Sequence, residues 1–309
     1  MVTDAPMNRV TVFGPASLSN LGPGFDALGL CLTGLGDTVE AWRTEAAGVT
    51  VEAEPPIPTD PAKNTASRAA AHVLRQAGAD GGVGLRIAKG VPLGSGIGGS
   101  AASAVAGAWA ANEVLGRPFA KAGLVEAVLE GEVAASGSRH GDNVLPALFG
   151  GLVLVSPSDP TAYRRLALPP TPIAVVLPRV EVLTRAAREA LPATVAHGDA
   201  SAQAAELAFL LAALQAGDWE AAGRHLMGDR LAEPHRAPLV PVYEAVRQAA
   251  LDAGAPGCAL TGSGPAMFAL PGTVDPEVVL AAMLAASRAG GVEADGWVAY
   301  VDAEGVRTR

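Results

Sequence analysis

The chain has 309 residues, enough for one large domain or two, and half of them are apolar against 17% charged, so a sizeable core forms and disorder is excluded. The net charge of −9, with Lys63, Lys89 and Lys121 as the only lysines, argues against nucleic-acid binding. No apolar run reaches 18 residues, which argues against a membrane span.

Residues 1–9 lack the shape of a signal peptide. Residues 10–13 read as a first strand. The stretch 14–30 is too rich in Gly and Pro for a regular element, and its Asn20 and Asp26 are residue types that cap turns. Cys31 and Cys258 lie in apolar surroundings without ligand spacing, as buried, reduced thiols of a cytoplasmic protein do. Residues 38–42 and 49–53 alternate like strands, and 55–61 is a loop. A helix is expected over 64–77, with Asn64 suited to its N-cap and Gly78 at its end. Residues 83–88 form another strand.

That strand leads into Val91-Pro-Leu-Gly-Ser-Gly-Ile-Gly-Gly-Ser-Ala-Ala-Ser103, and a helix is expected over 100–115. Four glycines in positions 94–99 bury no side chain; they permit positive φ and let a ligand reach the backbone. A helix N-terminus behind them is an anion site, and Ser95, Ser100 and Ser103 add hydroxyls for phosphate or a metal ion. The loop is not a Walker P-loop, because Gly99 is followed by Ser100 rather than Lys. It matches G-x-G-x-x-G at Gly94, Gly96 and Gly99, but Pro92 intervenes after the strand and Glu113 lies inside the helix, unlike a dinucleotide site. A flexible turn before an Ala-rich helix is the plainer alternative. The whole string resembles the phosphate loop of the galactokinase, homoserine, mevalonate and phosphomevalonate (GHMP) kinases. That resemblance assigns Pro92, Leu93, Gly94, Ser95, Gly96, Ile97, Gly98, Gly99, Ser100, Ala101 and Ser103 to the nucleotide.

A helix is expected over 120–134, with Glu132 near its C-terminal end, where an acid opposes the helix dipole and a metal ion would offset it. Residues 136–147 are dense in polar groups, on the plainest reading a solvated loop with a lone His140. Residues 150–156 are a buried strand, and 157–172 holds five prolines and reads as a linker between domains. Residues 173–177 are a strand, 184–192 a short helix and 201–215 a longer one. A second glycine-rich stretch, 255–268, lies between two strands, and its Thr261-Gly-Ser-Gly264 would suit a hairpin turn. A helix over 275–289 and a closing strand over 296–301 follow.

Pro15-Ala-Ser-Leu-Ser-Asn-Leu-Gly-Pro-Gly-Phe-Asp-Ala-Leu-Gly29 resembles the N-terminal signature of homoserine kinases. So, from the same family, do Ser136-Gly-Ser-Arg-His-Gly-Asp-Asn-Val-Leu-Pro-Ala147, Thr184-x-x-x-Arg188 and Glu233-Pro-His-Arg236. The stretch through Gly262, Ser263 and Gly264 is similar to the family's third motif, which closes near the phosphate loop. The resemblance implies an α+β, two-domain GHMP kinase fold. Residues 1–158 would be the ATP-binding domain with a left-handed βαβ unit, against the general right-handed rule. Residues 159–309 would be a ferredoxin-like αβ sandwich. It implies transfer of the ATP γ-phosphoryl, with Mg²⁺, to the side-chain hydroxyl of L-homoserine in threonine biosynthesis.

The implied roles suit the residues' chemistry. Asn20, Asp26, His140 and Thr184 would surround the substrate, and Arg188 and Arg236 would fork its carboxylate. Ser100 and Glu132 would supply oxygens to Mg²⁺, which keeps most of its water. Asn143 stands where related kinases often carry a catalytic Asp; an amide orients a hydroxyl rather than taking its proton. Direct proton loss to the phosphate is then the simplest route, with Asp142 the alternative base. Asn64 would contact the adenine, beside its capping role. A cytoplasmic homodimer is expected. Two departures stand out: Gly99 replaces the first Ser of the usual pair, and Ala266 stands where Ser or Thr is common. Another kinase of the superfamily with a different acceptor, or a non-catalytic ligand sensor on the same fold, stay open as alternatives.

Overall fold

The computed structural model describes residues 9–54 and 56–309; the reading of residues 1–8 as free of a signal peptide and the loop position Pro55 lie outside them. Strands β1 (Val10–Ser19) and β2 (Leu28–Thr44) pair antiparallel along most of their length, from Val10 opposite Ala41 to Ser19 opposite Gly29. The stretch 14–30, expected to be irregular, therefore supplies the end of one strand and the start of the next. Its backbone groups find partners across the ladder, and a shift in register between Pro15 and Ser17 accommodates the proline. Only the turn between the strands is irregular, with Asn20, Leu21 and Asp26 at φ of 71°, 45° and 54°.

Strand β3 (Gly48–Ala53) runs parallel to β4 (Gly82–Ala88), and helix α1 (Thr65–Ala77) makes the crossover between them. Asn64 caps α1 by accepting the Ser67 N–H, and Gly78 ends it at φ 58°. Helix α2 (Gly99–Val114) is buried on almost every side because its alanines let neighbours come close. A Cβ on Gly14 of β1 would lie 2.1 Å from the Ala102 carbonyl oxygen. The helix expected over 120–134 begins as a 3₁₀ turn, Lys121–Leu124, and continues as α3 (Val125–Ser136). Helix α4 (Gly141–Phe149) takes up much of the polar string read as a loop. Strand β5 (Leu152–Val155) pairs with β2, and β6 (Tyr163–Leu166) pairs with β5. The proline-rich stretch expected as a linker thus carries a strand of the first sheet, and the cut expected between 158 and 159 falls between two paired strands.

The second sheet begins at β7 (Pro172–Pro178). Helices α5 (Thr184–Glu189), α6 (His197–Ala216), α7 (Trp219–Leu226), α8 (Glu233–Arg236) and α9 (Tyr243–Asp252) follow. Then come β8 (Gly257–Leu260), β9 (Met267–Leu270), α10 (Pro276–Ala289) and β10 (Ala294–Tyr300). The order β10-β7-β9-β8, all antiparallel, with helices after the first and third strands, is the ferredoxin-like split βαβ arrangement. A last short strand, β11 (Arg307–Thr308), returns to pair with β1, completing the first-sheet path β11-β1-β2-β4-β3.

One core lies between the first sheet and α1 to α4, and another between the second sheet and α9 and α10. A third joins the two units: Leu18, Leu28 and Ile97 pack with Leu210, Leu226, Ala266 and Phe268. This apolar contact presses the two glycine-rich stretches together and so fixes the site between them. Among the described residues no helix is long and apolar enough to cross a membrane.

Candidate active site

Between β4 and α2 the chain turns through the left-handed region three times, at Gly94 (φ 65°), Gly96 (78°) and Gly98 (71°). Space requires glycine at the last two as well. A Cβ at Gly96 would meet the carbonyl oxygens of Gly264 and Thr261 at 2.7 and 2.8 Å, and one at Gly98 the Ser17 hydroxyl at 2.2 Å. The Ser17 N–H donates to the Ile97 carbonyl (3.2 Å). From the second unit, the Thr261 hydroxyl donates to the Gly96 carbonyl (3.1 Å) and the Ala266 N–H to that of Ser95 (3.2 Å). The backbone at position 266 makes this contact while its methyl sits in the joining core, so Ala266 needs no hydroxyl. Gly98 at the N-cap of α2 brings no side chain, which leaves the first N–H groups of the helix to an anion.

The loop borders a cavity of about 440 Å³. One end is walled by Pro56, Ile57, Pro58, Lys63, Asn64 and Leu93, the middle by the loop, Ser100 and Glu132, and the far end by Asn20, Asp26, His140, Asp142, Asn143, Thr184, Arg188 and Arg236. Gly262 and Ser263 close it from the second unit. Three expected nucleotide residues stand apart from this lining. Ile97 and Ala101 are fully buried, Ile97 in the joining core and Ala101 on the face of α2 turned to the first core. Gly264 lies behind Gly262, with its N–H bonded to the Thr261 carbonyl at 2.9 Å.

Several side chains are engaged within the protein. The Asn64 amide donates to the Pro58 carbonyl (2.8 Å) and accepts the Ser67 N–H (3.0 Å), so it caps α1 and fixes the cavity wall that it also lines. The Ser95 hydroxyl donates to the Pro92 carbonyl (2.7 Å), that of Ser103 to Asp37 (2.6 Å) and that of Ser100 to Glu132 Oε2 (3.1 Å). Asn20 caps the turn, accepting the Asp26 N–H (3.1 Å) and donating to the Gly262 carbonyl (3.2 Å). Asn143 lines the cavity, and its Oδ1 accepts the Ser17 hydroxyl at 2.9 Å, which leaves its amide nitrogen outside that bond.

At the far end Arg188 Nη2 lies 2.9 Å from His140 Nε2, and His140 Nδ1 lies 3.9 Å from Asp26. A guanidinium only donates, so Nε2 accepts and the imidazole proton sits on Nδ1, facing Asp26. Burial lowers the His140 pKa; Asp26 opposes this and Arg188 adds to it. Arg236 is 6% exposed and donates to the carbonyls of Gly262 (2.8 Å) and Ala187 (3.2 Å), with its guanidinium 5.0 Å over the Phe25 ring. Among the described residues neither arginine has a carboxylate at ion-pair distance, so two guanidinium groups face the cavity with charge to share.

The model of the GHMP kinases N terminal domain matches residues 64–151, and that of the GHMP kinases C terminal domain matches 210–288. A homoserine kinase of Chlorobium phaeovibrioides is 38% identical over 97% of this chain and 99% of its own length. That of Pyrococcus abyssi is 41% identical over 84% of this chain and 86% of its own. The chain belongs to the homoserine kinase family of the GHMP kinases. The crystal structure of a homoserine kinase from Cytophaga hutchinsonii superposes with a TM-score of 0.91 at 36% identity, covering 100% of both chains.

In an ATP-dependent kinase of this family the phosphate charge must be met locally. The Ser100 hydroxyl and Glu132 carboxyl are two hard oxygens side by side in the cavity wall, Ser100 in the first turn of α2. Among the described residues no group of three His, Cys, Asp or Glu side chains is placed to hold a metal ion. Two protein oxygens fit Mg²⁺, which completes its shell with phosphate and water. Motif reading left out Lys89 and Ser19, which also line the cavity. The rarity of lysine in this chain was the available signal for Lys89.

Burial pushes the Glu132 carboxyl up to about 8, with Asp142 adding and the Ser100 and Ser136 hydroxyls opposing. Burial and the Asp26 charge push Asp142 up to about 7. Both values lie above those of an unfolded carboxylate, so across this range the folded chain holds more protons than the unfolded one. Their contribution is complete below about pH 4 and is lost as pH rises towards about 8. Calorimetry on the ligand-free protein should show Tm falling from about pH 5 to about 8, with Glu132→Gln flattening the slope. A level wild-type profile would mean that these carboxyls are hydrated and ionised throughout.

Proposed function

We propose that the chain phosphorylates the side-chain hydroxyl of L-homoserine with ATP, as a cytoplasmic homodimer serving threonine biosynthesis. Residues 1–158 would carry ATP and 159–309 the arginines for the acceptor, while β6 and β11 belong to the first sheet. The observation that carries the reading is Arg236: a buried guanidinium that lines the same cavity as the phosphate loop, near the Asp26 charge but, among the described residues, with no carboxylate at ion-pair distance. A small molecule with a carboxylate, an ammonium and a hydroxyl suits that end.

In this reading the N–H groups of the glycine loop and the α2 N-terminus hold the phosphates, and Leu93 with Pro56 to Pro58 covers the base. Mg²⁺, held by Ser100 and Glu132, would supply charge neutralisation on the phosphates. Arg236 and Arg188 fork the carboxylate, and Asp26 takes the ammonium. Asn143, fixed by Ser17, points its amide nitrogen at the acceptor hydroxyl and orients it. The hydroxyl oxygen bonds to the γ-phosphorus, the bond to the β–γ bridging oxygen breaks, ADP leaves, and the hydroxyl proton passes to a phosphoryl oxygen. Asp142, with its carboxyl near neutrality in the ligand-free protein, is the alternative acceptor.

The test is ADP release from Mg·ATP with homoserine, serine, threonine, mevalonate or buffer. Turnover should require homoserine. Equal hydrolysis in buffer, or none with any acceptor, would overturn the assignment.

A further inference from the structure

Asp37, in the middle of β2, is wholly buried yet charged, and its oxygens accept from four donors. The Gly90 and Val91 N–H groups reach Oδ1 at 3.1 Å each. The Ser103 hydroxyl reaches Oδ2 at 2.6 Å, and Lys89 Nζ bonds the same oxygen. Lys89 also donates to the Gly99 carbonyl at 2.7 Å and to the Ser103 oxygen at 3.2 Å, and it lines the cavity. The donors come from the two ends of the phosphate loop, the residues leading into it and Ser103 in the second turn of α2. A Cβ at Gly99 would lie 3.2 Å from Val91 Cγ1 and at ordinary contact distance, 3.5 Å, from Lys89 Nζ.

A buried ion pair is a poor device for stability alone, because its desolvation cancels much of the attraction. Here the pair bridges a loop whose glycines leave it intrinsically free. We infer that Asp37 is the positioning residue of the phosphate loop. It holds both ends at the spacing that seats the nucleotide phosphates, with Lys89 as the tether between its carboxylate and the start of α2. The inference rests on the ATP-site reading above.

The experiment titrates a non-hydrolysable ATP analogue with Mg²⁺ into the full chain by calorimetry, without acceptor. Asp37→Asn keeps an acceptor for the Gly90 and Val91 N–H groups but removes the charge that holds Lys89. It should weaken analogue binding about tenfold or more, while the KM for homoserine stays within about twofold. Lys89→Gln should act in the same direction. The double variant should be no weaker than the weaker single, since both cut one tether. Unchanged analogue affinity in Asp37→Asn, an additive double variant, or equal loss towards both substrates would overturn the inference. If Asp37→Asn does not fold, Lys89→Gln decides: weaker analogue binding supports the tether and unchanged binding overturns it. A wild-type chain that does not take the analogue overturns the ATP-site reading itself, an outcome distinct from the others.

Discussion

Glu132→Gln is expected to lower kcat by about a hundredfold or more while leaving the KM for homoserine near its wild-type value. Glutamine keeps the size of the side chain and can still accept the Ser100 hydroxyl, so the change removes charge and little else. Ligand-free Glu132 already prefers its neutral form near neutral pH, because burial holds its carboxyl up at about 8. The variant therefore imitates the resting protein and should fold with equal or greater stability at about pH 8. The defect should arise when a cation and the phosphates arrive and the carboxyl would otherwise ionise. Its signature is low kcat that added Mg²⁺ restores only in part. A variant with normal kcat across a Mg²⁺ titration would make Glu132 a buried helix-end acid without a part in the reaction.

Elements that depend on local pattern were legible in the sequence. Helix α1 carried its cap at Asn64 and its stop at Gly78, and the glycine loop announced the turn before α2. Elements made by distant partners were not. Residues 17–19 look unfit for a strand until they are laid against 29–31, and Gly14 and Pro15 until they are laid against Asp37 and Gly36; β6 is a strand only because β5 offers its edge. The site divides in the same way. Its motifs named most of the lining, because strings of residues with unusual geometry are visible as strings. Asn64 was ambiguous because one amide serves a cap or a ligand equally well, and its bond to the Pro58 carbonyl comes from a loop without pattern. Asp37 and Lys89 stand 52 positions apart and belong to no motif; their pairing comes from the register of β2 on β4, where Thr38 lies opposite Ala88.

Arg236→Ala is informative about the acceptor. Losing a charge-assisted, two-bond contact worth about 1.5–3 kcal/mol should lower kcat/KM for homoserine about ten- to a hundredfold. The KM for ATP should move far less, because among the described residues the bonds of the guanidinium go to the Gly262 and Ala187 carbonyls and none to the glycine loop 94–99. Arg236→Lys should recover part of the loss: an ammonium keeps the charge but gives up the planar fork and the stacking over Phe25. Arg188 is exposed and shares its charge with His140, so Arg188→Ala should cost less. It should also leave a second mark. Arg188 helps to hold the His140 pKa down, so removing it should shift any acidic limb of the kcat/KM profile towards higher pH. If Arg236→Ala weakens ATP and homoserine equally, Arg236 serves the nucleotide or the fold, and the carboxylate assignment is wrong. If neither arginine variant affects homoserine, the acceptor is a different hydroxylated compound. The two cavity-lining guanidinium groups would then have to be matched to an anion on that compound instead.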